Sequence, residues 1–115
     1  MYTKQRTVKH TISISGIGLH TGNNCTMTFR PAEPNTGIRF RRMDLPDKPE
    51  VVADIDHVVD ISRGTTLQNG NAKVHTVEHV LAAFAGLQID NMIVELDNNE
   101  PPVMDGSSAP YVQKL

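Results

Sequence analysis

An α+β fold, a two-layer sandwich with a small, mostly antiparallel sheet and helices packed on one face, is predicted by three features of the chain. The first half alternates polar and apolar residues with a period of two, as in "NCTMTFR", the mark of half-buried strands. Near Thr76 the period lengthens to that of a helix. Beyond it "NMIVELDNN" returns to a strand and "DGSSAPYVQKL" opens a second helix. With 115 residues the chain has room for one compact domain, 1–115, and too little for two ordinary ones.

Each element has its own signal. "TVKHTISISG" places Val8, Ile12 and Ile14 inward, with an irregularity between them. In "ISGIGLHTG" the glycines at 16, 18 and 22 suit a tight turn between strands. Cys25, Met27 and Phe29 then face one side while Thr26, Thr28 and Arg30 face the other, which makes Cys25 a core residue rather than a nucleophile. The proline-rich connections "RPAEPNTG" and "LPDKPE" flank a strand with Ile38 and Phe40 inward. "EVVADIDHVVD" reads as a strand with a bend. Asn69-Gly70 suits a type I′ turn between strands at Thr65–Leu67 and Ala72–Val74. Val77, Val80, Leu81, Phe84 and Leu87 recur at helical spacing with alanines between them, and Gly86 fits the C-cap. Pro101-Pro102 break any pairing beyond the last strand. Ser107 or Ser108 can cap a second helix with Pro110 in its first turn. Little of that helix fits before Leu115, so a fragment of a longer protein is expected.

Composition excludes several classes. The formal charge of -2 leaves no electrostatic footprint for nucleic acid. Arg39, Arg41 and Arg42 cluster, but Asp44, Asp47 and Glu50 follow, and a solvated strand face is expected. A lone cysteine cannot form an intrachain disulfide. The start, "MYTKQRTVKH", lacks the apolar core of a signal peptide, and "VLAAFAGL" is far too short for a membrane span. A soluble cytoplasmic protein is the default.

The chemistry concentrates in "HTVEH", where His75, Glu78 and His79 spell H-x-x-E-H. Two histidines four apart on one helical face can grip one zinc while the glutamate serves as base, the inverted-zincin arrangement. That geometry requires His75 inside the helix. Val74 ends the hairpin and the helical pattern begins at Val77, which puts His75 near the N-cap and Glu78 near the third helical position, as the carboxylate of a capping box. On these five residues alone a structural role is the better reading, with Glu78 capping amides and His79 packed against the sheet. The functional reading keeps His79 as a ligand and sets Glu78, about 100° further round the helix, beside the metal without binding it.

More than five residues bear on the choice. "GIGLHTG", "RPAEPNTGIRFRR", "TVEHVLAAFAGLQIDN" and "PPVMDGSSAPYV" occur in this order. Together they resemble the N-terminal half of the UDP-3-O-acyl-N-acetylglucosamine deacetylases, the zinc amidases of lipid A biosynthesis, over essentially the whole chain. The resemblance implies two similar α+β domains with the active site between them, and release of acetate from UDP-3-O-(3-hydroxyacyl)-N-acetylglucosamine. It implies Zn2+ held by two histidines and an aspartate, of which only His79 lies in this half, with Glu78 as general base. The remaining ligands would come from a C-terminal domain that this chain lacks, so the chain alone is expected to be inactive. "DISRGTTLQ" matches a stretch that approaches substrate in the family, which marks Ser62, Arg63, Gly64 and Thr65; some relatives carry cysteine where Gly64 stands. His20 and Asp105 fall inside family motifs and are candidates for supporting roles or for turn-stabilising hydrogen bonds. His75, where many relatives have a small hydroxylic residue, is read as a helix-end residue. His10 and His57 match no motif.

Two competing readings make distinct demands. An inverted-zincin metallopeptidase needs His75 and His79 within reach of one metal. A non-catalytic α+β interaction domain needs His79 enclosed, with both ring nitrogens bonded. A deacetylase half would instead leave bare the apolar face that meets its second domain, open to self-association.

Overall fold

The computed structural model describes residues 5–18, 20–61 and 64–102. The expected second helix and its capping serines lie outside them. The strands run β1 (Ile12–Ile17), β2 (Asn24–Pro31), β3 (Ile38–Arg42) and β4 (Glu50–Val52), followed by one 3-10 turn (Ile55–His57) and β5 (Val58–Asp60). Then come β6 (Thr66–Asn69), β7 (Ala72–Val74), α1 (Glu78–Gly86) and β8 (Met92–Leu96). The fold is α+β, as the alternation and its change of period predict. The strands divide into two sheets rather than one: a five-stranded sheet in the order β1-β2-β8-β3-β4 and a three-stranded sheet β5-β6-β7.

The large sheet is antiparallel except where β3 runs parallel to β8, with Phe40 opposite Val94. A parallel pair needs a long crossover. Here the crossover contains the whole small sheet and α1, so this one pairing carries the helix across the sheet face. Inward residues of the strands, Ile14, Met27, Phe29, Phe40, Val94 and Leu96, form the core with Val80, Ala83 and Phe84 of the helix. Phe84 meets Phe29 edge to face, ring centroids 5.6 Å apart. Cys25 is buried there too, and burial pushes its thiol pKa up to about 12. It is inert at neutral pH, as a core residue should be.

The opposite face carries the arginine cluster. Arg30 on β2 and Arg41 on β3 both reach Glu95 on β8, and Arg41 also pairs with Glu50 on β4, as does Arg39. The result is an ionic ladder across four neighbouring strands. Arg42 departs from the expected solvated face. It points inward, is buried, and is held by Asp44 and by the Lys73 carbonyl, because the alternation of β3 gives it the same side as Phe40.

Three local expectations shift. The hairpin pairs Asn69 with Ala72, so its loop is Gly70-Asn71; only Gly70 has a positive φ, which fits type II′ rather than type I′. Gly86 is the last helical residue, not the cap. The left-handed position is Gln88 (φ 57°), whose N–H donates to Ala85 while that of Ile89 donates to Phe84, the two bonds of a Schellman ending. At the other end Val77 is the N-cap, without a side-chain cap, so Glu78 is the first helical residue and not the third.

Candidate active site at the helix entry

The capping box expected at "HTVEH" is replaced by contacts from outside the helix. His75 lies outside the helix, three residues before α1, and its N–H donates to the Asn99 carbonyl. Thr76 takes a left-handed conformation (φ 55°), rare for a β-branched residue. Its hydroxyl donates to Glu100, and the Val77 N–H donates to Thr65. The reversal at Thr76 turns the chain so that Glu78 reaches back to the start of β6, where its Oε1 accepts the Thr65 N–H at 3.0 Å.

Gly64 belongs to the same cluster. Its φ of 103° favours glycine, and a Cβ there would lie 3.0 Å from Glu78 Oε2. Gly64 and Thr65, marked in the sequence, therefore do meet Glu78. Ser62 and Arg63, between them and β5, and Asp105 lie outside the described residues.

His79 follows Glu78 on the first helical turn, half-buried, and among the described residues its ring makes no hydrogen bond. It is not the enclosed, fully bonded histidine that a purely structural role would require. His75 does not share its helical face. Its Nδ1 is bonded to the Thr66 hydroxyl at 3.1 Å, so the H-x-x-E-H pattern is not one helical ligand pair, and the inverted-zincin arrangement loses its basis. Burial, the largest influence on the His75 imidazole, lowers its pKa and favours the neutral ring.

A concavity of about 220 Å³ opens beside this entry, lined by His20, Thr21, Asp60, Gly64, Thr66, His75 and Thr76. One of its walls, Gly64, lies against the Glu78 carboxylate. His20 is exposed at the concavity, and its backbone N–H donates to Glu100. Glu100 is the residue the sequence reading missed. It directly precedes Pro101-Pro102, and no local pattern announces it, because its partners His20 and Thr21 lie about 80 positions earlier in the chain. Among the described residues no three histidine, cysteine or acidic side chains converge on one point that could hold a metal.

These features define a class: an α+β domain whose helix entry sets a carboxylate against the lining of a concavity, followed in sequence by an imidazole that makes no hydrogen bond among the described residues. Residues 5–115 match the family described as LpxC: UDP-3-O-acyl N-acetylglycosamine deacetylase, and the chain belongs to that family. It is 59% identical over its full length to the bifunctional enzyme LpxC/FabZ of Chlorobaculum tepidum, of which it covers 25%. It is 50% identical over 95% of its length to the UDP-3-O-acyl-N-acetylglucosamine deacetylase of Methylococcus capsulatus, and 52% identical over 96% to that of Xylella fastidiosa, covering 36% of each. The chain thus spans about a third or less of the curated relatives it matches.

Proposed function

We propose that this chain is the N-terminal part of a zinc-dependent deacetylase that hydrolyses the N-acetyl amide of UDP-3-O-(3-hydroxyacyl)-N-acetylglucosamine in lipid A biosynthesis. Glu78 is the general base and His79 one zinc ligand. The observation that carries this reading is the pairing of a Glu78 carboxylate anchored by the Thr65 N–H with a neighbouring imidazole that has no partner among the described residues. The donor set fits part of a zinc site: His79 offers one nitrogen, and since no three such side chains converge among the described residues, the remaining ligands would have to come from elsewhere in the full-length protein. A nucleotide-sugar substrate implies a cytoplasmic enzyme. No helix among the described residues is long and apolar enough to cross a membrane.

Zinc, when bound, would supply Lewis-acid activation of the amide carbonyl and of water. The chain's own contribution is proton handling. Glu78 Oε1 is occupied by the Thr65 N–H, which leaves Oε2 to take the proton of the attacking water. That proton then goes to the departing amine as the C–N bond breaks, giving acetate and the free amino sugar. Gly64 keeps the space beside Oε2 open, since any side chain there would press on it.

In the full-length protein, Glu78→Ala should lower turnover by about 10²–10⁴-fold with zinc content unchanged, whereas His79→Ala should lose zinc. Turnover assays with metal analysis on both variants check this. Zinc loss in the Glu78 variant together with an active, zinc-loaded His79 variant would reverse the two roles. The 115-residue chain alone should show no turnover; activity in the pure fragment would overturn the inference that ligands are supplied from elsewhere.

A further inference from the structure

We propose that Glu100 is a positioning residue for Glu78 and His79, acting through Thr76; this rests on the deacetylase reading above. Glu100 is 1% exposed, yet it is an acid, and an acid at that depth needs donors. It has them from two separate segments. Its oxygens accept the N–H of His20 (3.1 and 3.2 Å), the N–H and hydroxyl of Thr21 (2.9 and 3.0 Å), and the Thr76 hydroxyl (2.5 Å). Gly18 completes the cradle: a Cβ there would sit 2.3 Å from Oε1. The carboxylate therefore joins the loop after β1 to the entry of α1.

At that entry the helix has no side-chain cap, and the residue before its N-cap is strained. A left-handed threonine persists only when its surroundings enforce it. Here the enforcing contacts are the Thr76–Glu100 bond and the two flanking backbone bonds, His75 to Asn99 and Val77 to Thr65. Were Thr76 to relax toward an ordinary conformation, the direction in which α1 starts would change, and the Glu78 carboxylate would leave the Thr65 N–H. Glu100 touches neither Glu78 nor His79; it determines where they point.

The test uses the full-length protein with Thr76→Val, which keeps the shape and β-branch but removes the hydroxyl, Thr76→Ser, which keeps the hydroxyl, and Glu100→Gln. Thr76→Val should lower kcat by about tenfold or more with KM changed by less than about twofold, since displaced catalytic groups act on turnover. Thr76→Ser should regain most of that loss. Hydrogen exchange gives a readout that needs no turnover. The Thr65 amide should exchange faster in Thr76→Val and Glu100→Gln and recover in Thr76→Ser, while the β6–β7 hairpin amides stay protected. If Glu100→Gln does not fold, the two Thr76 variants carry the test. An inactive wild-type protein would sink the deacetylase reading while leaving the Thr65 readout to judge the positioning. Undiminished kcat in Thr76→Val of an active enzyme, an unchanged Thr65 amide, or uniform loss of protection across the domain overturns the proposal.

Discussion

Glu100 shows how one buried side chain can couple stability to pH. Burial raises its pKa, but the bonds from Thr76, Thr21 and His20 together outweigh burial, and the net shift is downward. A carboxylate whose folded pKa lies below its unfolded value adds stability above the unfolded value, and that contribution is lost as pH falls through the folded one. Glu100→Gln should therefore flatten the acid side of the stability–pH curve, which denaturant melts at neutral and acid pH would reveal. An acid limb as steep in the variant as in the parent would assign acid sensitivity to other carboxylates. Asp44 is one, lowered chiefly by its hydrogen bond to Arg42. The ion pairs of Glu95 are exposed on the arginine side. Its partners Arg30 and Arg41 are 49% and 31% exposed in their side chains, so either can turn to water, and the ladder adds little net stability.

The two ends of α1 are built by opposite means. Its start is held by residues distant in sequence, Thr65, Asn99 and Glu100, and its end by its own backbone. At that end Gln88 occupies a position that glycine fills without strain. Its side chain accepts only an exposed bond from Arg6. Gln88→Gly should raise stability by about 0.5–1 kcal/mol, the relief of left-handed strain less the added freedom of the unfolded chain. A higher denaturant midpoint at unchanged slope checks it; a lower midpoint would show that the Arg6 contact outweighs the strain. Helical periodicity located α1 within two residues, yet the same pattern could not show that its entry lacks a cap, because the substitute contacts come from other elements.

The whole molecule hangs on the parallel β3–β8 pairing, which delivers α1 to the sheet and sets Phe84 against Phe29. Phe84→Ala should cost about 3–5 kcal/mol, measured by equilibrium unfolding, because the ring is 2% exposed and fills the centre of the helix–sheet interface. A cost near that of a surface substitution would mean that the interface collapses readily around the gap. Among the described residues three large apolar side chains remain outside this core, Ile17 and Val59 (53% exposed each) and Ile61 (75%). Two of them lie on or just beyond β5, close in sequence to the concavity-lining Asp60 and Gly64.

Alternation and periodicity located most of the strands, the helix and their apolar inward residues, since these depend on local backbone geometry and on which side chains water excludes; "EVVADIDHVVD", read as one bent strand, is instead β4 and β5, which join different sheets. The ordered motifs around them marked Glu78 and His79. Sheet partition, the burial of Arg42, the uncapped entry of α1 and the role of Glu100 depended on tertiary structure. Each of these comes from a contact between segments far apart in the chain, which local pattern does not encode. "HTVEH" is thus the entry to a helix whose direction is set by a glutamate beyond the last strand.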